Sequence, residues 1–488
     1  MSTEDKFNTI DSEKNTTLTN VAEVSIDDDV PEVDYEGEKS AIRKIDRNLI
    51  VVFAALYMMS FLDRSNIGNA NLTGFSTDLG LKGNEYGAAV SLVYATYVIF
   101  EPIWAVSLKM IGPRNVLTGT TICWSALTVG TAFAKNFGHL AAIRVLLGAL
   151  EAGVIPCINV YLTMTYQRHE YMTRITVVFV ASALSGAFGG LLAYGLSQLT
   201  AGGLHGWQWM YIVEGLISFC LAPVAWWQIP NSIAEARWLN EREKAAMKVR
   251  LERNRHIYDP DEKFSHKAIL ASFKDPRVYV HAVTHFGIDC TLYSLTTFMP
   301  TLVAGLGFTS TVTAQLLTVP VYAIAGISFA ICGTMSDRKK IRSPFLVFAL
   351  STCLIGYIIL AVAPQVGVRY AGVFIAAIGL YTSTAIHNMW VADNMAGHYK
   401  RAFSIGFVCL VGNSSGACIG FIFTAQTKPR YLPGLHFDIG MTLMAMVGVI
   451  LQSFYCRYLN KKKREAIAAG APNDPSLGDK NPHYMFFL

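Results

Sequence analysis

Four charged residues in two apolar stretches have the types and spacing that could do chemistry. Asp63 and Arg64 follow directly on an apolar run that begins near Leu49. Arg144 and Glu151 are separated by two helical turns in a second apolar stretch, which places them ~10.5 Å apart along one helix face. An ionisable group costs at least ~2.5–3.5 kcal/mol at the centre of a membrane helix, so it normally faces a cavity or a partner. We therefore predict that these four side chains converge inside a membrane protein.

The four residue types fit proton-coupled binding of a carboxylate. A guanidinium binds a carboxylate through two parallel hydrogen bonds, so Arg64 and Arg144 are predicted to hold an anionic substrate. A buried carboxyl group can load and release a proton as its access to water alternates, which is the role predicted for Asp63 and Glu151. Two alternatives stay open: a static network of salt bridges, and an Asp63–Arg64 pair that lies only at the membrane surface.

The composition places these residues in a polytopic membrane protein. Of 488 residues, 52% are hydrophobic and 15% are charged, whereas soluble domains average about 25% charged residues. Apolar blocks long enough to cross a bilayer alternate with short polar breaks. We predict twelve spans, at residues 48–70, 87–108, 115–134, 140–163, 174–198, 208–228, 278–303, 311–333, 344–363, 369–391, 402–424 and 437–459.

The predicted fold class is all-α, with two pseudo-symmetric halves of six helices. A charged interruption separates six spans from six, and Lys and Arg concentrate on the side that would carry both chain ends, so both termini are predicted to be cytoplasmic. The predicted units are a disordered tail (1–46), a first half (47–228), a central loop (229–277), a second half (278–460) and a second tail (461–488).

Glycine spacing supports the duplication. Gly186 and Gly190 in the fifth span have counterparts at Gly412, Gly416 and Gly420 in the eleventh. Small residues four apart let helices pack closely. Two such halves around a midplane cavity are typical of a secondary transporter.

Several other classes of protein are excluded or left without support. The nine cysteines lie almost entirely in apolar blocks and are interpreted as buried hydrophobic residues, not as disulfides or metal ligands. The sequence has no CxxC, HExxH or phosphate-loop motif. We therefore expect no metal, no cofactor and no ATP-driven pump, and the net charge of +5 gives no indication of nucleic-acid binding.

Several stretches carry a family resemblance: FLDRSNIGNANLTG, RVLLGALEAGVIPCINVYL, WQWMYIVEG, GFTSTVTAQLLTVPVYA and DNMAGHYKRA. They resemble the major facilitator superfamily and, within it, the fungal allantoate-permease branch of the anion:cation symporters. The stretches HFGIDCTLYSLTTFMPTL, MSDRKKIRSPF and GVRYAGVFI further resemble the yeast transporters of nicotinic acid. The resemblance implies a transporter, not an enzyme, that takes up a small carboxylate, nicotinate foremost, together with protons by alternating access.

The resemblance also assigns roles to individual residues. It implies proton coupling by the acids and anion binding by the arginines of the first and fourth spans. Tyr97 matches a substrate-contacting tyrosine of the family, and Asp337 with Arg338 matches a gating loop. The equivalent loop after the second span lacks the acid, which puts gating there in doubt.

Further contacts are predicted in the second half, where His387, Trp390 and Asn413 occupy positions suited to substrate binding. A packing role is the alternative for Trp390 and for Tyr97. His285 and Asp289 share a helix face and are interpreted as a mutual pair or as ligand contacts. Glu101 could protonate or pair near the inner end of its helix, and Glu214 is interpreted as structural.

The expected partners are a small organic anion, protons and the lipid bilayer, with a monomer as the working unit. We expect the plasma membrane as the location, with the endoplasmic reticulum as the alternative. Rival functions are uptake of allantoate or another organic acid, drug-type antiport, and a receptor that binds ligand without flux.

Overall fold

The computed structural model describes residues 34–199, 201–253, 266–307, 311–396 and 398–488. The long elements of this part of the chain are all helices. In chain order they are α1 (Tyr35–Ile45), α2 (Val51–Leu72), α3 (Phe75–Asp78), α4 (Glu85–Ile111), α5 (Pro113–Thr131), α6 (Phe137–Glu151), α7 (Val154–Thr165), α8 (Arg168–Leu196), α9 (Gly206–Gln228), α10 (Glu241–Arg253), α11 (His266–Phe273), α12 (Pro276–Ala304), α13 (Thr311–Lys339), α14 (Ser343–Val362), α15 (Val366–Asp393), α16 (His398–Ser414), α17 (Gly416–Ile422) and α18 (Leu432–Ala468).

All twelve predicted spans coincide with helical segments. In the described residues, ten segments are long and apolar enough to cross a bilayer. The other two predicted spans, 115–134 and 278–303, correspond to α5 and α12. Helix α12 is buried along almost its whole length, so its polar side chains can be satisfied by neighbouring helices instead of facing lipid.

Two of the glycines that were predicted to allow close helix packing lie at contacts between the two halves. A Cβ atom added at Gly186 of α8 would lie 2.3 Å from the ring of Tyr322 in α13. One added at Gly420 of α17 would lie 2.0 Å from the backbone oxygen of Gly87 in α4. Both distances are shorter than any Cβ contact allows, so these helices approach closely only because glycine lacks a side chain.

One end of the bundle, here called the terminal face, carries α1, α10 and residues 469–488. Residues 35–45 form a helix there, which corrects the predicted disordered tail over 1–46; residues 1–33 lie outside the described part of the chain. Helix α1 packs on α10 through Lys44, whose ammonium lies 2.9 Å from the Glu243 carboxylate. Arg250 of α10 also pairs with Glu38 at 2.5 Å. The central segment is therefore partly helical and tied to the bundle.

The predicted second tail is ordered as well. Residues 461–468 continue α18, and the following residues fold back onto the terminal face. The Lys463 ammonium donates to the backbone oxygens of Asp479, Asn481 and Tyr484 at 2.6–2.9 Å. Near the chain end, the Phe487 backbone oxygen accepts a hydrogen bond from the Trp390 indole at 2.9 Å.

Candidate functional site

Arg64 and Glu151, two of the four residues predicted to converge, form a buried ion pair. Helix α2 has no charged residue from Val51 to Leu62, and it presents Arg64 to α6, where the guanidinium lies 3.3 Å from the Glu151 carboxylate. Ser60 hydrogen-bonds to both, at 3.4 Å from Glu151 and 3.3 Å from Arg64. The Arg64 guanidinium also lies over the Tyr97 ring, 4.9 Å from its centre. The structure thus brings three predicted site residues together.

Arg144 lies in the same half, and no carboxylate of the described residues is directly bound to it. It is 2% exposed and donates to the Tyr211 hydroxyl at 2.9 Å. Its Nε atom has no hydrogen-bond partner among the described residues. A buried guanidinium with an unused donor is suited to hold an anion.

Two further acids in this half are incompletely satisfied. Asp63 accepts a hydrogen bond from Thr128 at 3.3 Å, and Glu214 accepts one from the Asn66 amide. The second oxygen of each acid has no partner in the described residues. Glu214 is fully buried, and the negative charges of Glu214 and Asp63 repel each other. Sequence reasoning interpreted Glu214 as structural, although a lone acid in an apolar span was the signal that could have included it in the site.

The charge count of the first half follows from these placements. Asp63, Glu151 and Glu214 are each at most 2% exposed, and so is Arg144, while Arg64 is 7% exposed. With Glu101 of α4, which is 8% exposed, the described residues of this half hold four buried carboxyl groups and two buried guanidinium groups, which leaves two negative charges in excess when all are ionised. Buried net charge is costly, so the cluster favours carrying a proton.

A cavity of about 280 Å³ lies between the halves. Its wall extends toward the terminal face, along the last turns of α7 and α15 and the first turns of α8 and α16. Aromatic side chains from both halves contribute to it, including Tyr57, Phe61 and Tyr293. Pockets that bind small ligands are commonly lined by apolar and aromatic groups with a few polar ones.

Glu101 and Asn413 connect the two halves across this cavity. The Asn413 amide donates to the Glu101 carboxylate at 3.0 Å, and the Tyr293 hydroxyl donates to the Asn413 oxygen at 2.6 Å. All three line the cavity. Asn413 therefore lies where a substrate contact was predicted, and Glu101 lies beside it instead of pairing with a cation. Sequence analysis did not indicate that Tyr293 would join them.

His387 and Trp390 lie elsewhere, and this geometry gives no support to their predicted substrate contacts. Neither is among the residues that line the cavity. Trp390 is fully buried, with its indole bonded to the chain end, and His387 is enclosed between His281 and His285. The pair predicted on α12 does form, because His285 Nε2 lies 3.4 Å from the Asp289 carboxylate.

Asp337 and Arg338, predicted in a gating loop, instead lie in the last turn of α13, which continues to Lys339. The side chain of Asp337 lies outside what the structure describes, and Arg338 is exposed on the terminal face. The buried ion pair at this place joins Arg342 to Asp393 at 2.9 Å, so the loop is fastened to the end of α15 by a residue that sequence reasoning did not select.

Comparison with known proteins agrees with this architecture. The family model described as Major Facilitator Superfamily matches residues 53–421. The chain belongs to the major facilitator superfamily. The fold and the relatives are those of transporters, so this protein is a multi-pass membrane transporter and not an enzyme.

Two relatives and two solved structures illustrate the similarity. The transporter is 38% identical over 472 residues to the high-affinity nicotinic acid transporter of Saccharomyces cerevisiae, covering 96% of this chain and 88% of that one. It is 30% identical to the major facilitator-type transporter hxnP of Emericella nidulans, covering 93% and 94% of the two chains. The xylose transporter XylE from E. coli shares the fold with a TM-score of 0.65 at 13% identity, over 82% of this chain and 97% of XylE. A bacterial homologue of the lysosomal transporter Spinster gives a TM-score of 0.63 at 16% identity, over 85% and 97%.

Proposed function

We propose that this transporter takes up a small carboxylate, nicotinate foremost, together with protons by alternating access between its two halves. The excess of buried acids over buried arginines in the first half carries this proposal. Entry of a carboxylate substrate adds one more negative charge, and protons on the acids offset it. The same cluster therefore couples anion binding to protonation.

The choice of nicotinate rests on the similarity to the yeast nicotinic acid transporter and on the cavity. Binding pockets for small molecules occupy ~300–1,000 Å³, and a cavity of about 280 Å³ suits an acid with a single ring. The tyrosine and phenylalanine rings of its wall can pack against a pyridine ring. Allantoate and other organic acids are the alternatives within the same mechanism.

The proposed location is the plasma membrane, with the terminal face in the cytoplasm. Lys and Arg residues cluster in the loops of that face, as the positive-inside rule requires. In this orientation the cavity extends toward the cytoplasm. The protein would then release its substrate from the arrangement seen here, working as a monomer.

The experiment is uptake of labelled nicotinate, at external pH 4.5 and 7, into cells that lack their own carrier. We expect uptake that is faster at acid pH and abolished by a protonophore. Arg144→Ala should lower uptake at least tenfold, since hydrogen bonds to charged groups contribute about 1.5–3 kcal/mol. Arg369→Ala is the matched control, because Arg369 lies at the end of the bundle opposite the terminal face and does not line the cavity.

Glu151→Gln separates binding from coupling. We expect this variant to exchange labelled nicotinate across the membrane while losing accumulation, because glutamine keeps the shape of glutamate but cannot carry the proton. Wild type that moves allantoate or another acid, but no nicotinate, would overturn only the choice of substrate. Wild type at the cell surface that moves no acid at all would overturn the transport proposal.

A further inference from the structure

Five side chains of the second half form a continuous polar chain that starts at the cavity. His285 Nε2 lies 3.4 Å from the Asp289 carboxylate, and His285 Nδ1 lies 3.2 Å from His387 Nδ1. His387 Nε2 lies 3.2 Å from His281 Nδ1, and His281 Nε2 lies 3.1 Å from the Gln452 amide nitrogen. Each imidazole thus uses both of its ring nitrogens within the chain.

We propose that this histidine chain carries protons between Asp289 at the cavity and the terminal face. The proposal rests on the proposed proton coupling and adds a second proton-handling site, in the half opposite the arginine–carboxylate cluster. Three imidazoles in a row with both nitrogens engaged form an arrangement in which a proton can pass from one ring to the next, since each ring accepts at one nitrogen and donates at the other.

The hydrogen bonds permit one orientation at a time. An amide nitrogen only donates, so His281 Nε2 accepts from Gln452, and His281 Nδ1 then carries the proton that it donates to His387 Nε2. By the same rule His387 donates to His285, and His285 Nε2–H donates to an ionised Asp289. Every N–H therefore points toward the carboxylate, and no two donors or two acceptors face each other.

The opposite orientation differs by one proton. When Asp289 is protonated, it donates to His285 Nε2, each ring donates in the other direction, and His281 Nε2–H points to the Gln452 side-chain oxygen after its amide has turned. Loss of that last proton to the terminal face returns the chain to the first orientation with Asp289 ionised. Rotation of the imidazole rings readies the chain for the next proton from the cavity. One proton enters and one leaves.

The chain spans the distance that such a role requires. Asp289 lies ~20 Å and His281 ~7.5 Å from the start of α12, at ~1.5 Å per residue. His285 and Asp289 line the cavity, and Gln452 borders a separate surface groove beside Pro276 and Tyr455. The three histidines and Gln452 are each at most 2% exposed, so these side chains are shielded from bulk water.

Ionisable groups surround both ends of the chain. At the cavity end, the charge of Glu101 in α4 acts electrostatically on Asp289. The charge of Asp289 in turn acts on Tyr57 of α2 and Cys409 of α16. At the other end, the charges of Arg277 and Asp275 act electrostatically on His281. The other neighbours are Cys456, which lies 3.9 Å from the Gln452 amide, and Trp390, whose ring centre lies 5.1 Å from that of His281. The inlet thus holds two acids, Glu101 and Asp289, whereas the outlet holds the ion pair of Arg277 and Asp275.

The test uses the purified full-length protein in vesicles that contain a pH-sensitive dye. Labelled nicotinate is followed in two ways, as exchange without a pH gradient and as accumulation driven by one. We expect His281→Gln to keep exchange close to wild type and to lose accumulation and dye-reported proton entry at least tenfold, because glutamine can hydrogen-bond but cannot pass a proton on. His387→Gln should behave the same way, which guards against one variant that fails to fold.

The matched control is His139→Gln, at an exposed histidine on the opposite face, which should leave both measurements unchanged. Accumulation by both folded chain variants equal to wild type would overturn the relay alone. A loss of exchange together with accumulation in both variants would also overturn it, since that is the result of a structural role. Wild type without any proton-linked accumulation would overturn the proposed function, and the relay with it.

Discussion

The buried acids of the first half differ in what their oxygens contact. Glu151 has a guanidinium and a hydroxyl beside it, whereas Asp63 accepts only one hydroxyl hydrogen bond among the described residues. A carboxylate without a cation loses more on burial than one that is paired. By this argument Asp63 gains more than Glu151 from holding a proton while Glu151 is paired with Arg64.

At the same scale, Tyr293→Phe tests the bridge across the cavity. The change removes the hydroxyl that orients Asn413 toward Glu101 and keeps the ring. A typical hydrogen bond contributes about 1 kcal/mol, so we expect the KM for nicotinate to rise about fivefold, with normal amounts of protein at the surface. Initial uptake rates over a range of substrate concentrations measure this. Tyr279→Phe, whose hydroxyl donates to a backbone oxygen away from the cavity, is the control, and an unchanged KM would show that the bridge does not orient substrate.

Among the helices, α12 differs from the others because it is enclosed by protein along almost its whole length. Burial on all sides lets it carry histidine, aspartate and a series of threonines without exposing them to lipid, since neighbouring helices supply their partners. Gly412 of α16 permits this enclosure at one point, because an added Cβ would lie 2.6 Å from the Asp289 carboxylate. The enclosed position of α12 thus permits the many polar side chains that this helix carries.

The contact between α4 and α17 gives a prediction about helix packing. At Gly420→Ala the new methyl group would meet the Gly87 backbone, which cannot move as a side chain can. Overpacking of this kind costs about 1–3 kcal/mol. We expect a lower melting temperature in detergent and reduced uptake. Gly440→Ala, which has nothing within 4 Å of the added atom, should change neither, and a Gly420→Ala variant as stable as wild type would mean that the two helices separate without cost.

For the molecule as a whole, the terminal face is held together by charged side chains from both chain ends and the central segment. Arg277 pairs with Asp275 and Asp479, and Lys400 lies 2.7 Å and 2.6 Å from the same two acids. Phe486 of the folded-back tail lies under the Arg277 guanidinium, 4.4 Å away. The tail therefore covers the ends of α12 and α16, which must move when a rocking transporter changes state.

This ion cluster predicts how tail docking depends on pH. Burial works to raise the pKa of Asp275, but the hydrogen bonds and charges of Arg277 and Lys400 outweigh it and lower that pKa to about 2. A carboxylate with a lowered pKa in the folded state stabilises that state above its unfolded pKa of about 3.9, and the stabilisation is lost as the pH falls through the folded value. We expect a docked tail from pH 7 to 5 and its release below about pH 3.

Limited proteolysis of the tail measures docking. At pH 7, Asp479→Asn should make the tail cleavable, because it removes a charge shared by Arg277 and Lys400, while Glu465→Gln at an exposed site should not. Equal protection of all three proteins would show that the backbone hydrogen bonds of the tail suffice without the ion cluster.

The sequence by itself determined the class of protein, the twelve spans and the charged residues of the first half that could form a site. Apolar blocks of bilayer length permit little besides membrane helices, and the cost of a buried charge identifies Asp63, Arg64, Arg144 and Glu151 without any knowledge of their neighbours. Residues that interact within one helix, such as His285 and Asp289, were also predictable, because helical periodicity alone places them on one face.

Only the tertiary structure decided which helices bring their polar residues together. His387 and Trp390 were predicted at the substrate, but the rotation of α15 turns them to α12 and to the chain end. Tyr293, Glu101 and Asn413 come from three different helices, so nothing in their spacing indicated that they would meet. Residues 35–46 and 461–488 were likewise interpreted as polar tails, because their order depends on ion pairs and hydrogen bonds with distant residues and not on an apolar periodicity of their own.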